Sequence, residues 1–382
     1  MTEAQPGAAV QEIPLSRPWL DEREEELVLD VLRSGRLSLG PWIERFEEEV
    51  AKRVGAPYAA AVSSGTAGLH LLCKIAAVGP GDEVITSPLS FVASANCFLL
   101  EGATPVFADV DPTTLNMDPD AVEAAVTERT RAIVAVDMFG FPCELDALRA
   151  IAERHGLVLI EDACESLGAE YRGRPLGGHG PPAAFAFYPN KQMATGEGGV
   201  VTTHSEHEWR LLCSLRNQGR SYDGGGGWFH HVRLGLNYRW TDVQAAIGLA
   251  QLEKLDRILE LRAEAARRYG ELLADVDRVE PPAADDAEHR RSWFVYVVKL
   301  DSSVDRDGVM DSLRGDGVAT AEYVPCIHLQ PYMREQFGFE EGLCPVAEAT
   351  AARTLALPFF TQIDPDDQER VVEVLRGALA AA

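Results

Sequence analysis

Residues 157–203 read LVLIEDACESLGAEYRGRPLGGHGPPAAFAFYPNKQMATGEGGVVTT. Three short apolar runs lie in this stretch: LVLIED at 157–162, AAFAFY at 183–188 and GVVTT at 199–203. Strands that are apolar throughout are buried on both faces, as in a parallel sheet covered by helices. Four runs of the same kind precede them: YAAAV at 58–62, EVITS at 83–87, PVFADV at 105–110 and AIVAV at 132–136. Segments with helical spacing separate the runs at 66–78, 92–101, 118–127 and 143–155. This alternation predicts an α/β fold whose large domain holds a mostly parallel seven-stranded sheet covered by helices.

The flanks complete the outline. Helices are expected at 21–33, where Asp21 and early glutamates suit a helix start, and at 41–53, which Pro41 opens. Residues 241–270 form one long helical pattern, and PPAADDAE at 281–288 looks like a linker. A strand at 292–300 and helices near 306–315, 345–356 and 365–380 predict a smaller C-terminal α+β domain. The division expected is 1–255 for the large domain, with an N-terminal helical segment, and 256–382 for the small one. GRSYDGGGGWFHH at 219–231 predicts a mobile loop, because four successive glycines do not hold one conformation cheaply.

Composition narrows the function. The 382-residue chain carries a net charge of −25, which excludes the basic face that a nucleic-acid partner needs. There is no run of about 18 apolar residues, so no membrane span is expected. The start, MTEAQPGAAVQEIPLSRP, lacks the basic opening and apolar run of a secretory signal. Seven cysteines stand singly without a CxxC pair, which predicts reduced thiols in a cytoplasmic protein and no metal site.

Ligands of such sheets sit beyond the strand carboxyl ends. That rule selects Ser63–Thr66, Ser87–Phe91, Asp162–Glu165 and Tyr188–Lys191. The chain has only five lysines: Lys52, Lys74, Lys191, Lys254 and Lys299. Four lie on helices or in a strand; Lys191 alone sits in a turn, between AFAFY and TGEGG. A lysine that forms a Schiff base must be positioned and kept reactive by its surroundings. Asp162 ends its apolar run and emerges at the top of the sheet. It can act as a helix cap, or as the carboxylate a pyridoxal ring nitrogen requires. SSGTAGLH at 63–70 follows a strand and opens a helix, where free N–H groups can hold a phosphate. Phe91 precedes a helix and could stack on a planar ring or fill the core.

The order phosphate turn, aromatic, acid and lysine resembles the DegT/DnrJ/EryC1/StrS family of sugar aminotransferases, which have the aspartate-aminotransferase fold. The resemblance is carried by SSGTAGLHLL, PLSFVASANCFLLEGATPVFADVD, VDMFGFPCELDAL, LIEDACESLGA, FAFYPNKQMATGEGG, LRNQGR, LGLNYRWTDVQAAIG and HLQPYMRE, and spans residue 14 to the C-terminus. It implies that pyridoxal 5'-phosphate is the cofactor, that Lys191 carries it as a Schiff base and shuttles the proton, and that Asp162 pairs with its ring nitrogen. It further implies that Phe91 stacks on the ring and that Gly65 and Thr66 hold the phosphate. Glu165 falls near the phenolic oxygen, where two acids would clash unless one is protonated or paired, so it should be protonated or hydrogen-bonded. Asn237 matches an asparagine that reaches the phosphate across a homodimer interface. Ala186 departs from the serine often found five residues before the lysine.

The implied reaction moves an amino group from L-glutamate to a nucleotide-linked keto-sugar. Arg239 is the expected partner of the glutamate carboxylate. Arg216, Arg220, His230, His231, Arg233 and His328 are the residues available for the sugar diphosphate. The turn ATGEGG is nearer the TTGEGG-like turns of 4-keto aminotransferases than the GALGDGG-like turns of 3-keto ones. The substrate expected is therefore an NDP-4-keto-6-deoxyhexose; an NDP-3-keto sugar or a cyclitol ketone are the alternatives. Lys191 stands where the family's dehydratases have histidine. Retention of Lys191 and Asp162 also opposes a regulatory protein without catalysis.

Overall fold

The computed structural model describes residues 12–381. The leader reading falls largely on residues 1–11, outside the described residues. All seven apolar runs are strands: β1 Tyr58–Val62, β2 Glu83–Thr86, β3 Thr104–Phe107, β4 Thr130–Val136 and β5 Val158–Asp162 come first. A two-strand hairpin, β6 Glu170–Tyr171 and β7 Arg174–Pro175, then precedes β8 Ala183–Ala186 and β9 Gly199–Thr203. The sheet order is β1-β9-β8-β5-β4-β2-β3. Only β9 runs against its neighbours, pairing antiparallel with both β1 and β8. Most strand residues are small or branched apolar side chains with almost no exposure, as a sheet covered on both faces requires; Thr104 and Arg131, near strand starts, are exposed.

Helix starts follow local chemistry. Asp21 closes a capping box with Glu24 at the head of helix Glu22–Ser34, and Pro41 occupies the first turn of helix Pro41–Val54. The long pattern over 241–270 is two helices, Asp242–Glu253 and Leu255–Leu273. The break is at Lys254, whose ammonium is drawn to Asp21 (2.7 Å) and Glu24 (2.9 Å) of the first helix. Periodicity alone does not register such a tertiary tether.

A second sheet, β10 Val279–Glu280, β12 Tyr296–Leu300 and β13 Thr354–Leu357, is antiparallel and packs against the helices of the C-terminal part. The helix expected over 345–356 ends at Ala351, because Thr354–Leu357 pair with β12 instead. The strand expected at 292–300 starts only at Tyr296. The 281–288 segment is not a free linker. It leads into β11 His289–Arg290, which pairs with β6, and Arg172 holds Glu288 at 2.9 Å. The N-terminal segment also crosses over: Ile13 donates to the Gly317 carbonyl and is buried in the C-terminal core.

Candidate active site

The turn after β8 places Lys191 beside the end of β5. Its N–H donates to the Tyr188 carbonyl at 2.9 Å, which closes the turn. Its ammonium lies 3.5 Å from Glu165 Oε1 and 3.8 Å from the centre of the Phe294 ring. The Lys191 side chain is only 13 % exposed, so both contacts act with little screening. Glu165 Oε2 accepts the Phe139 N–H at 3.0 Å. Burial pushes the Glu165 carboxyl above its usual range, against the pull of the Lys191 ammonium. Glu165 is thus a hydrogen-bonded, buried acid beside the Lys191 ammonium.

Asp162 is 5 % exposed at the last residue of β5. Its Oδ2 accepts the Ser94 hydroxyl at 2.6 Å, and its Oδ1 accepts the Cys164 N–H at 3.2 Å. Helix Gly65–Ile75 starts alongside. Ser64 caps it by accepting the Ala67 N–H, so the amides of Gly65 and Thr66 open the helix without an intrahelical acceptor. A Cβ on Gly65 would lie 2.6 Å from Cys164 Sγ and 2.8 Å from Ala186 Cβ. Only glycine lets this helix start come so close to the ends of β5 and β8. Phe91 is 66 % exposed, a ring left uncovered at the same sheet edge.

Behind these residues the acids accumulate. The Asp137 N–H donates to the Asp162 carbonyl at 3.2 Å. Its carboxylate accepts from the Cys143 N–H (2.9 Å) and the Ser166 hydroxyl (3.1 Å). Burial pushes the Asp137 carboxyl up to about 7, and the nearby Asp162 charge adds to this. A raised carboxyl supplies stability below its unfolded-state value that is lost as pH rises through the folded one. Between about pH 4 and pH 7, Asp137 is expected to withdraw a few kcal/mol from folding. Asp137→Asn should therefore flatten the curve of urea midpoint against pH relative to the wild type. Parallel curves for the two proteins would refute this.

The substrate-side residues separate into groups. Arg220 and Arg239 converge on one acceptor, Asn217 Oδ1, at 2.7 and 3.2 Å. Both line a cleft of about 570 Å³ that also includes Trp209 and Tyr222. Asn237 is exposed on the strand-like segment facing Asn217. His230 is exposed and bonded to the Gly225 carbonyl at 2.7 Å. Arg216 lines the same cleft but is largely spent: its half-buried guanidinium is held by Glu47 and the Ala61 carbonyl. His328 is a correction. It has no exposure, and its Nε2 is 2.9 Å from Glu348, so a sugar diphosphate has no access to it. Its work is internal, joining the 327–329 turn to helix Pro345–Ala351.

Two contributors escaped the sequence reading. Ser94 had a signal, since it lies one helical turn after Ser90 at a strand end. Phe294 had none. It lies about 100 residues from Lys191 in the chain and is brought there by the segment between β11 and β12. Arg262 holds that segment by donating to the Trp293 and Phe294 carbonyls, each at 2.7 Å. Gln192 adds a tie from the lysine turn, donating to Ser292 Oγ at 2.7 Å.

A lysine, a buried acid and an open helix start at the carboxyl ends of a mostly parallel sheet define a pyridoxal-phosphate-dependent aminotransferase of the aspartate-aminotransferase fold. The model of the DegT/DnrJ/EryC1/StrS aminotransferase family matches residues 18–376, and the chain belongs to that family. It is 39 % identical over 381 residues to the spore coat polysaccharide biosynthesis protein SpsC of Bacillus subtilis, covering 97 % of this chain and 98 % of that one. DesV of S. venezuelae, solved in complex with a ketimine intermediate, is 32 % identical at a TM-score of 0.89, with 96 % and 98 % of the two chains covered. PseC of Helicobacter pylori, an aminotransferase involved in the biosynthesis of pseudoaminic acid, is 27 % identical at a TM-score of 0.91, with 97 % and 100 % covered.

The residues fit pyridoxal phosphate. The close seat that excludes a Cβ at Gly65 leaves the first amides of the helix open to an anion, the exposed Phe91 ring offers a flat face, and an amine and a carboxylate stand at the same edge.

Proposed function

We propose that this enzyme transfers the amino group of L-glutamate to a nucleotide-linked keto-sugar, an NDP-4-keto-6-deoxyhexose, giving an NDP-amino sugar. The observation that supports it most is Lys191, held between Glu165 and Phe294 beside Asp162 and followed by the ATGEGG turn. Bound pyridoxal phosphate supplies an electron sink for the carbanion formed when the donor loses its α-proton. The chain supplies the rest. Lys191 Nζ binds the cofactor and, once released, carries the proton between carbons. Asp162 holds the ring nitrogen protonated, and Phe91 covers the ring. The Gly65 and Thr66 amides take the phosphate. A protonated Glu165 donates to the phenolic oxygen, which removes the repulsion a carboxylate would meet there.

Arg239, with Arg220 beside it, takes the donor carboxylate or the sugar diphosphate. His230 lies on the neighbouring loop for the same anion. Ala186 brings no hydroxyl, so the phosphate leans on Gly65, Thr66 and Asn237. Asn237 of one subunit would complete the phosphate site of the other in a homodimer with shared sites. Phe229 and Leu234, both strongly exposed near Asn237, support such an interface. We also place the enzyme in the cytoplasm. Among the described residues no helix is long and apolar enough to cross a membrane.

Purified holoenzyme is expected to absorb in the visible and to bleach with L-glutamate. A panel of NDP-4-keto, NDP-3-keto and cyclitol ketones then decides the acceptor by product mass and amine position. Bleaching by L-glutamate without turnover of any sugar nucleotide would overturn the substrate class.

A further inference from the structure

Asp162 is held by a short chain of hydroxyls. Ser94 Oγ donates to Asp162 Oδ2 at 2.6 Å, and Ser90 Oγ lies 2.6 Å from Ser94 Oγ. All three side chains are buried. The partner of a protonated ring nitrogen is an ionised carboxylate, which only accepts hydrogen bonds. Ser94 must therefore point its proton at Asp162, which leaves its oxygen to accept, and Ser90 must point its proton at Ser94. The acid sets the direction of the whole chain.

The geometry adds a reason for two donors. The Cys164 N–H reaches Oδ1 from the residues just after β5, while Ser94 reaches Oδ2 from helix Ala93–Leu99. One donor would leave the carboxylate free to turn about its own bond. Donors on different oxygens, from different elements, fix its plane and still leave each oxygen a lone pair for the ring nitrogen. Ser90, Phe91 and Ser94 belong to one segment. That segment thus presents a ring face at the site edge and steadies the acid below it.

We propose that Ser94, backed by Ser90, is a positioning residue that holds the Asp162 carboxylate in the orientation the cofactor ring nitrogen requires. This rests on the reading of Asp162 as the ring-nitrogen partner. The test titrates apo-protein with pyridoxal phosphate, follows the visible band across pH, and separates kcat from KM. Ser94→Ala should weaken cofactor binding about tenfold and lower kcat about tenfold, with the KM for the amino donor little changed. Ser90→Ala, one step further back, should show the same pattern at about threefold. Ser94→Cys keeps the volume but donates weakly, so it should follow the alanine variant. If Ser94→Ala does not fold, Ser94→Cys decides on the same readouts.

Wild-type cofactor affinity and an unchanged pH profile of the band in the Ser94 variants would overturn the proposal, whatever their melting temperatures. Asp162→Asn, measured in parallel, keeps the two ideas apart. An unimpaired Asp162→Asn protein refutes the reading of Asp162. An impaired one beside unaffected Ser94 variants refutes only the positioning role.

Discussion

Lys191→Ala is expected to lower kcat by at least about 10⁴-fold, and Lys191→Arg nearly as much. The two substitutions divide the residue's roles. Arginine keeps a cation near Glu165 and over Phe294 but is not deprotonated in proteins, so it cannot act as nucleophile or base. No other lysine can take over. Lys74 is bound to Glu101, Lys254 to Asp21 and Glu24, and Lys299 to Glu280. Lys52 lies on the exposed face of helix Pro41–Val54. Borohydride reduction of the holoenzyme followed by peptide mapping should place the label on Lys191. A Lys191→Ala protein with a tenth of wild-type turnover, or a label on another lysine, would end the assignment.

Asp162→Asn is expected to cost about 10²–10³-fold in kcat, comparable to losing one preorganised electrostatic contact in an active site. The change is nearly isosteric, so the packing at the end of β5 survives. The amide is neutral, however, and one of its two arms donates. It would meet the Ser94 proton or the ring nitrogen with the wrong sign. The pH profile of the visible band should differ between the variant and the wild type. A variant with wild-type kcat and an unchanged band would show that the acid has no part in the chemistry.

Much of this site was legible because its parts are local. A strand end followed by a helix start is written within a few residues, and so the sequence alone points to the turns at Ser63–Thr66, Asp162–Glu165 and Tyr188–Lys191. The seven strands were legible for a related reason: apolar runs too short for helices have one good use, a covered parallel sheet. The errors have the opposite character. Periodicity carries helix 241–270 straight through Lys254, where the structure has a break and the ammonium sits on a remote pair of acids. TLAL at 354–357 continues a helical pattern but pairs with β12. His328 reads as available for a sugar diphosphate, yet it is buried on Glu348.

The sequence by itself determined the class of fold and the roster of chemical groups, because alternating strand and helix periods and strand-end turns are short-range properties. Lys191, the lysine set apart in a turn after a strand, belongs to that roster. Only the tertiary structure decided what surrounds it. Phe294 arrives from the segment between β11 and β12, Glu165 is hydrogen-bonded through Phe139, and Ser94 reaches Asp162 from another crossover helix. Such contacts depend on which strand lies beside which, and the order β1-β9-β8-β5-β4-β2-β3 is set by packing over the whole chain. Burial is likewise a collective quantity. It makes Asp137 and Glu165 reluctant acids, and it turns His328 from a ligand for anions into part of the core.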